Sequence, residues 1–99
     1  MQERVYYIYI LSSTNKGTLY IGVTNNLLNR VYQHKTKEIK GFTEEHDVDR
    51  LSHFEIFHDI NAALAREKQL KGWNRDWKIK LIEKENPCWR DLYHDLMKA

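Results

Sequence analysis

The sequence predicts an α+β fold in which strands come first and helices close the chain. Two observations carry that reading. The Tyr- and Ile-rich runs near the start are joined by a polar stretch too short for a parallel crossover, so they read as an antiparallel hairpin. Beyond Asp59 the apolar residues recur at spacings of three and four, the period of a helix.

The first strand is expected over Val5 to Leu11, with Ser12 to Gly17 supplying turn residues and a second strand over Thr18 to Val23. Thr24 or Asn25 can then cap a helix from about Asn26 to His34, whose apolar side is Leu27, Leu28 and Val31. Asn26, Arg30 and His34 stand four apart and stack on its polar face. Lys35 to Asp49 has no period and contains Gly41, so it reads as a loop. Alternation over Arg50 to Phe57 suits a third strand. Asp59 is a good cap for a helix over Ile60 to Gly72, and Asn74 or Asp76 can open another that runs through Glu85 and stops before Pro87. Trp89 to Met97 reads as a short terminal helix. There is no internal repeat and no low-complexity segment.

Composition fits a single folded domain over residues 1–99: 41% of the residues are hydrophobic, 30% are charged, and there are only four Gly and one Pro. Cys88 is the only cysteine, which excludes an internal disulfide and a cysteine zinc cluster. The longest apolar run, Val5 to Leu11, falls far short of the ~20 residues of a membrane helix, so no membrane partner is expected. The cytoplasm is the default compartment and a monomer the default state. From Arg66 to Lys84 there are seven basic residues against three acidic ones, whereas Lys35 to Arg50 holds four against five. This late basic stripe encloses Trp73 and Trp77. It reads either as a solvated face with core tryptophans or as a surface for phosphates and bases.

One carboxylate lies on an unexpected face. Ile60, Ala63, Leu64, Leu70 and Trp73 form the apolar stripe of their helix, and Glu67 falls inside it. A carboxylate seated there needs compensation, either from a lysine or backbone donors, or from a divalent cation such as Mg²⁺. Arg30 has a fork suited to phosphate oxygens, and His34 can exchange a proton near neutral pH. His46, His53, His58 and His94 show no metal-binding spacing, and the tyrosines at 6, 7, 9 and 20 suit strand packing.

Tyr7-Ile8-Tyr9, ten intervening residues and Tyr20-Ile21-Gly22, followed by Arg30 and His34, resembles the GIY-YIG nuclease superfamily. The likeness continues through Phe42-Thr43, Phe54-Glu55, the segment Ala65 to Trp73, Asn86-Pro87 and Trp89 to Leu92, as in small standalone bacterial members. It implies a three-stranded antiparallel sheet flanked by helices, with a metal-dependent phosphodiesterase site on one face. Carried over residue by residue, Tyr9 and Tyr20 are the motif tyrosines, Arg30 the phosphate-binding arginine, His34 the histidine one turn later and Glu67 the metal ligand. Asn86 matches a late asparagine. The departure is Tyr7, where the family has glycine, a residue that contributes no functional group.

The function so implied is an endonuclease using one Mg²⁺ or Mn²⁺. Its partner is nucleic acid, with DNA the expected form and DNA repair the expected setting. Lys68, Lys71, Arg75, Lys78 and Lys80 are expected to guide the backbone toward Glu67. No recognition helix stands out, which points to structure-selective or weakly specific cutting. The alternative is a nucleic-acid-binding module of the same fold that needs a partner to turn over.

Overall fold

The structure is a computed structural model that describes residues 4–13, 17–41, 43 and 46–98. Residues Thr14 to Lys16 of the expected turn, Glu44 and Glu45 of the expected loop, and Phe42 lie outside them. The elements follow the expected order. Strands β1 (Tyr6–Ser12) and β2 (Leu19–Thr24) precede helix α1 (Leu27–Lys35). Strand β3 (Arg50–Phe57) then leads into α2 (Ile60–Gly72), α3 (Arg75–Glu85) and α4 (Leu92–Met97). The three strands form one antiparallel sheet in the order β2-β1-β3, so β1 is central.

A central strand covered on both faces is apolar at consecutive positions, and Ile8 to Leu11 are all buried. Ile8 and Ile10 join Ile21, Ala63, Leu70, Ile82 and Trp89 in the core beneath α2 and α3. Tyr9 and Leu11 face the other way, into a second cluster with Leu27, Val31, Val48, Leu51 and Tyr93. The helices therefore flank both sides of the sheet.

Several boundaries differ from the sequence expectation, each for a local reason. Asn26, rather than Thr24 or Asn25, caps α1, its side chain accepting from the Asn29 N–H. Thr24 instead braces Asn26 through its hydroxyl. The terminal helix begins at Leu92 instead of Trp89, because Trp89 has φ of 55° and Asp91 supplies the cap. The apolar stripe of α2 is narrower than its spacing suggests: Ala63 and Leu70 are buried, whereas Ile60 and Leu64 are 38% and 44% exposed.

The β1–β3 ladder slips between Ile10 and Leu11, whose partners are His53 and Leu51, so Ser52 is the extra residue of a bulge. Its buried hydroxyl meets that of Ser12 at 2.6 Å. The outer edge of β3 is closed by side chains: Asp91 accepts from the Leu51 N–H, and Asn86 donates to the Ser52 carbonyl.

Candidate active site

The site grows from a glycine. Gly22 is paired with Tyr9 across β1 and β2, and a Cβ at Gly22 would stand 2.5 Å from both Cζ and the hydroxyl oxygen of Tyr9. The missing side chain is the seat for the Tyr9 ring, which is only 1% exposed. That arrangement carries the hydroxyl over edge strand β2, where Tyr20 stands half-buried. The two rings lie 6.3 Å apart.

Helix α1 closes the other side. Leu27 and Val31 anchor it in the core, and this turns His34 inward, where it is buried. The polar face expected for Asn26, Arg30 and His34 is thus divided between a cap, a half-buried arginine and a buried imidazole. His34 lies 6.1 Å from the Tyr9 ring and 5.6 Å from that of Tyr20. Its Nε2 is 3.4 Å from the Tyr9 hydroxyl, and its Nδ1 is 2.9 Å from Thr43 Oγ1.

Charge and burial set the protonation of this cluster. Burial pushes the Tyr9 hydroxyl up to about 12, reinforced by Tyr20 and opposed by Arg30, which also hydrogen-bonds it; Glu67 adds a small upward push. His34 is driven down to about 4, by burial first and then by the Arg30 charge, so it is neutral at pH 7. Arg30 can only donate. Tyr9 Oη therefore accepts from Arg30 and directs its own proton at His34 Nε2, which leaves Nδ1–H to donate to Thr43; this tautomer is assigned by the network.

Glu67 arrives from α2 with its side chain 20% exposed, and the Lys71 ammonium stands 3.3 Å from its Oε2. The lysine compensation considered for this carboxylate is therefore present. Among the described residues no group of three or more His, Cys, Asp or Glu forms a metal cage. A single carboxylate still fits a Mg²⁺ or Mn²⁺ ion, since such ions commonly keep several waters and take one or two protein carboxylates plus phosphate oxygens.

Asn86 is tied to backbone groups. It is buried behind β3, where its amide donates to the carbonyls of Ser52 and Arg90 and accepts from the Arg90 N–H. The basic stripe is distributed over two helices: Lys68, Lys71, Arg75 and Lys80 are exposed and Lys78 is half-buried. Arg75 reaches the Gly17 carbonyl at 2.6 Å, beside the β1–β2 connection. Sequence reasoning gave Thr43 no role, because nothing in a loop without period shows what a hydroxyl will face. The role of Gly22 had a signal, since a glycine inside a strand marks close approach by a neighbour.

The comparisons agree with this architecture. The family model of the GIY-YIG catalytic domain matches residues 5–80. A UPF0213 protein of Haloquadratum walsbyi is 35% identical over 78 residues, covering 79% of this chain and 86% of that one. A UPF0213 protein of Syntrophus aciditrophicus is also 35% identical, over 82% of this chain and 92% of its own. The solution NMR structure of a UPF0213 protein from Bacillus halodurans superposes with a TM-score of 0.55 at 23% identity. It covers 88% of this chain and 92% of that one, and shows the shared fold. The chain belongs to the GIY-YIG family, a family of nuclease-type domains, as a small member with the fold of the UPF0213 proteins.

Proposed function

We propose that residues 1–99 act as one domain, a metal-dependent endonuclease that hydrolyses phosphodiester bonds of nucleic acid, DNA being the expected form. Cutting is structure-selective or weakly sequence-specific. The observation that carries this reading is the convergence of Tyr9, Tyr20 and His34 within 6.3 Å of one another, with Arg30 and Glu67 near enough to act on the Tyr9 hydroxyl.

Hydrolysis of a phosphodiester requires an oriented water, positive charge on the phosphate oxygens and stabilisation of the departing oxygen. Arg30 offers its guanidinium to a nonbridging oxygen. Tyr9 is committed to Arg30 and His34, so its hydroxyl serves to position that guanidinium and to fix the hydrogen-bond direction through the cluster. Tyr20 is half-buried on the edge strand, against a fully buried Tyr9, which supports giving it the role of orienting the attacking water. Glu67 is the ligand for one Mg²⁺ or Mn²⁺ ion, which when bound supplies positive charge to the phosphate and the leaving oxygen. Lys68, Lys71, Arg75, Lys78 and Lys80 hold the nucleic-acid backbone by charge, a contribution that weakens with salt.

Replacing Glu67 with Ala is the direct test: cleavage should fall by at least about a hundredfold in Mg²⁺ or Mn²⁺ while nucleic-acid affinity stays largely intact. Cutting that survives in the variant would overturn the reading. One observation favours the second reading, a module that binds but turns over slowly. Lys71 already pairs with Oε2 of Glu67, so it competes with a cation for that carboxylate. Under that reading the wild type binds without cutting, and Lys71→Ala raises activity.

A further inference from the structure

A second feature lies apart from the tyrosine cluster. Between the end of α2 and the outward face of α3 there is an open groove of about 340 Å³, lined by Trp73, Trp77, Lys80, Leu81 and Lys84. Lys80 and Leu81 stand three and four residues after Trp77, and Lys84 stands four after Lys80 and three after Leu81, so α3 presents them together. The opposite side of α3 is tied to the core by Ile82.

The two tryptophans have different duties. Trp73 caps α2 and packs on the core, and the Arg66 guanidinium covers its ring at 5.2 Å. Arg66 is itself held in place by two hydrogen bonds to the Glu55 carboxylate. Trp77 meets Trp73 edge-on, with centroids 5.8 Å apart, and is 53% exposed. The result is a rigid floor and one indole face turned to solvent.

What sets this indole apart from other exposed apolar side chains is its rim, whose chemistry selects an occupant. The residues lining the groove include two lysines and no carboxylate, and Lys80 and Lys84 have no ion pair among the described residues. Flat aromatic surface beside two unneutralised ammonium groups matches a nucleobase with its adjoining phosphates. A base within a duplex has both faces stacked, so the indole can take only an unpaired one. The volume also lies within the usual range of small-ligand pockets.

We infer that this groove binds an unpaired base of the substrate, stacked on Trp77 with neighbouring phosphates on Lys80 and Lys84. The inference rests on the nuclease reading for the identity of the ligand and deepens it. It assigns as substrate class a nucleic acid with a single-stranded segment, such as a flap, a tail or a gap.

The test is a fluorescence-anisotropy titration in EDTA, which stops cutting, comparing a blunt DNA duplex with the same duplex carrying a single-stranded tail. Wild type should prefer the tailed duplex. Trp77→Ala should lose about five- to tenfold in affinity for the tailed duplex, the lower end of what one stacked base supplies, and less than twofold for the blunt one. Trp77→Phe should keep most of the preference, because it keeps an aromatic face. Lys84→Ala should flatten the salt dependence of tail binding by about 0.7 in log–log slope.

Equal affinity of the wild type for both duplexes overturns the base site, and so does an equal loss for both in Trp77→Ala. Unchanged affinity for both duplexes in Trp77→Ala also overturns it, and that result would leave the groove to a protein partner. Trp77-dependent tail binding by a chain that never cuts in Mg²⁺ or Mn²⁺ supports the base site and removes the nuclease reading. Absence of binding to either duplex removes both.

Discussion

Gly22 has no side chain, and its chemistry is the space it leaves for Tyr9. Gly22→Ala would put a methyl carbon 2.5 Å from the Tyr9 hydroxyl oxygen, inside any tolerable contact, and the ring cannot retreat because it is buried. Overpacking of this kind costs typically about 1–3 kcal/mol. We expect urea denaturation to show that loss, and cleavage to fall further than the folded fraction does, since the displaced hydroxyl parts from Arg30 and His34. A variant with wild-type cleavage would show that Tyr9 has no fixed place in the reaction.

A buried histidine and a half-buried carboxylate set the pH dependence of stability. His34 ionises at about 4 in the folded chain against an ordinary 6.5, so between those values the native state binds fewer protons than the unfolded one. Its contribution to stability is complete above pH 6.5 and is lost as the pH falls toward 4. Glu55 continues the trend: the His53 hydrogen bond, opposed by burial and aided by Arg66, holds its carboxyl at about 2 against 4.5. Its contribution is complete above pH 4.5 and fades toward pH 2. Urea midpoints should fall in these two successive windows, and His34→Gln should flatten only the first. A wild-type profile that stays level from pH 7 to 5 would contradict the assignment.

At the scale of elements, the strands and the two long helices were legible because each has a period and a cap. Asp59 and Asn74 do cap α2 and α3, and β3 has the predicted bounds. What could not be read were features settled by tertiary contact. The Ser52 bulge is one, since it depends on a buried Ser12 across the ladder. The 86–91 connection is another: Asn86 and Asp91 bind backbone groups of β3, and Trp89 takes a left-handed conformation between them. Asn86→Ala should therefore act on stability. Removing a side chain with three hydrogen bonds, one buried and two half-buried, costs about 2–4 kcal/mol. Thermal denaturation and binding titrations together check this: a lower melting temperature with unchanged affinity for nucleic acid is expected. Lost cleavage at full stability would instead place the amide in the reaction.

For the whole molecule, the two core clusters on either side of the sheet supply the cohesion, with no metal cage among the described residues. Chelation should then leave the melting temperature unchanged; a shift of several degrees on adding EDTA would mean that a cation holds the fold. No helix among the described residues is long and apolar enough to cross a membrane. The site was legible in part. The tyrosines, Arg30, His34 and Glu67 were named by resemblance, and Glu67 also by its misfit in an apolar stripe. Thr43 and the Lys71 pairing were not legible, because each depends on which side chain folding brings alongside.

The central position of β1 also orders events in time. Its pairing with β2 closes a short connection, whereas its pairing with β3 must wait for a loop reaching from Ser12 to Arg50. Tyr9, Tyr20, Arg30 and His34 all lie within the hairpin and α1, and Glu67 follows the late strand. As the chain leaves the ribosome, the residues of the proton-handling half of the site are all made before its carboxylate exists. On the reading proposed for this protein, an unfinished chain is therefore harmless to the nucleic acids around it, and cutting begins only when synthesis has passed α2.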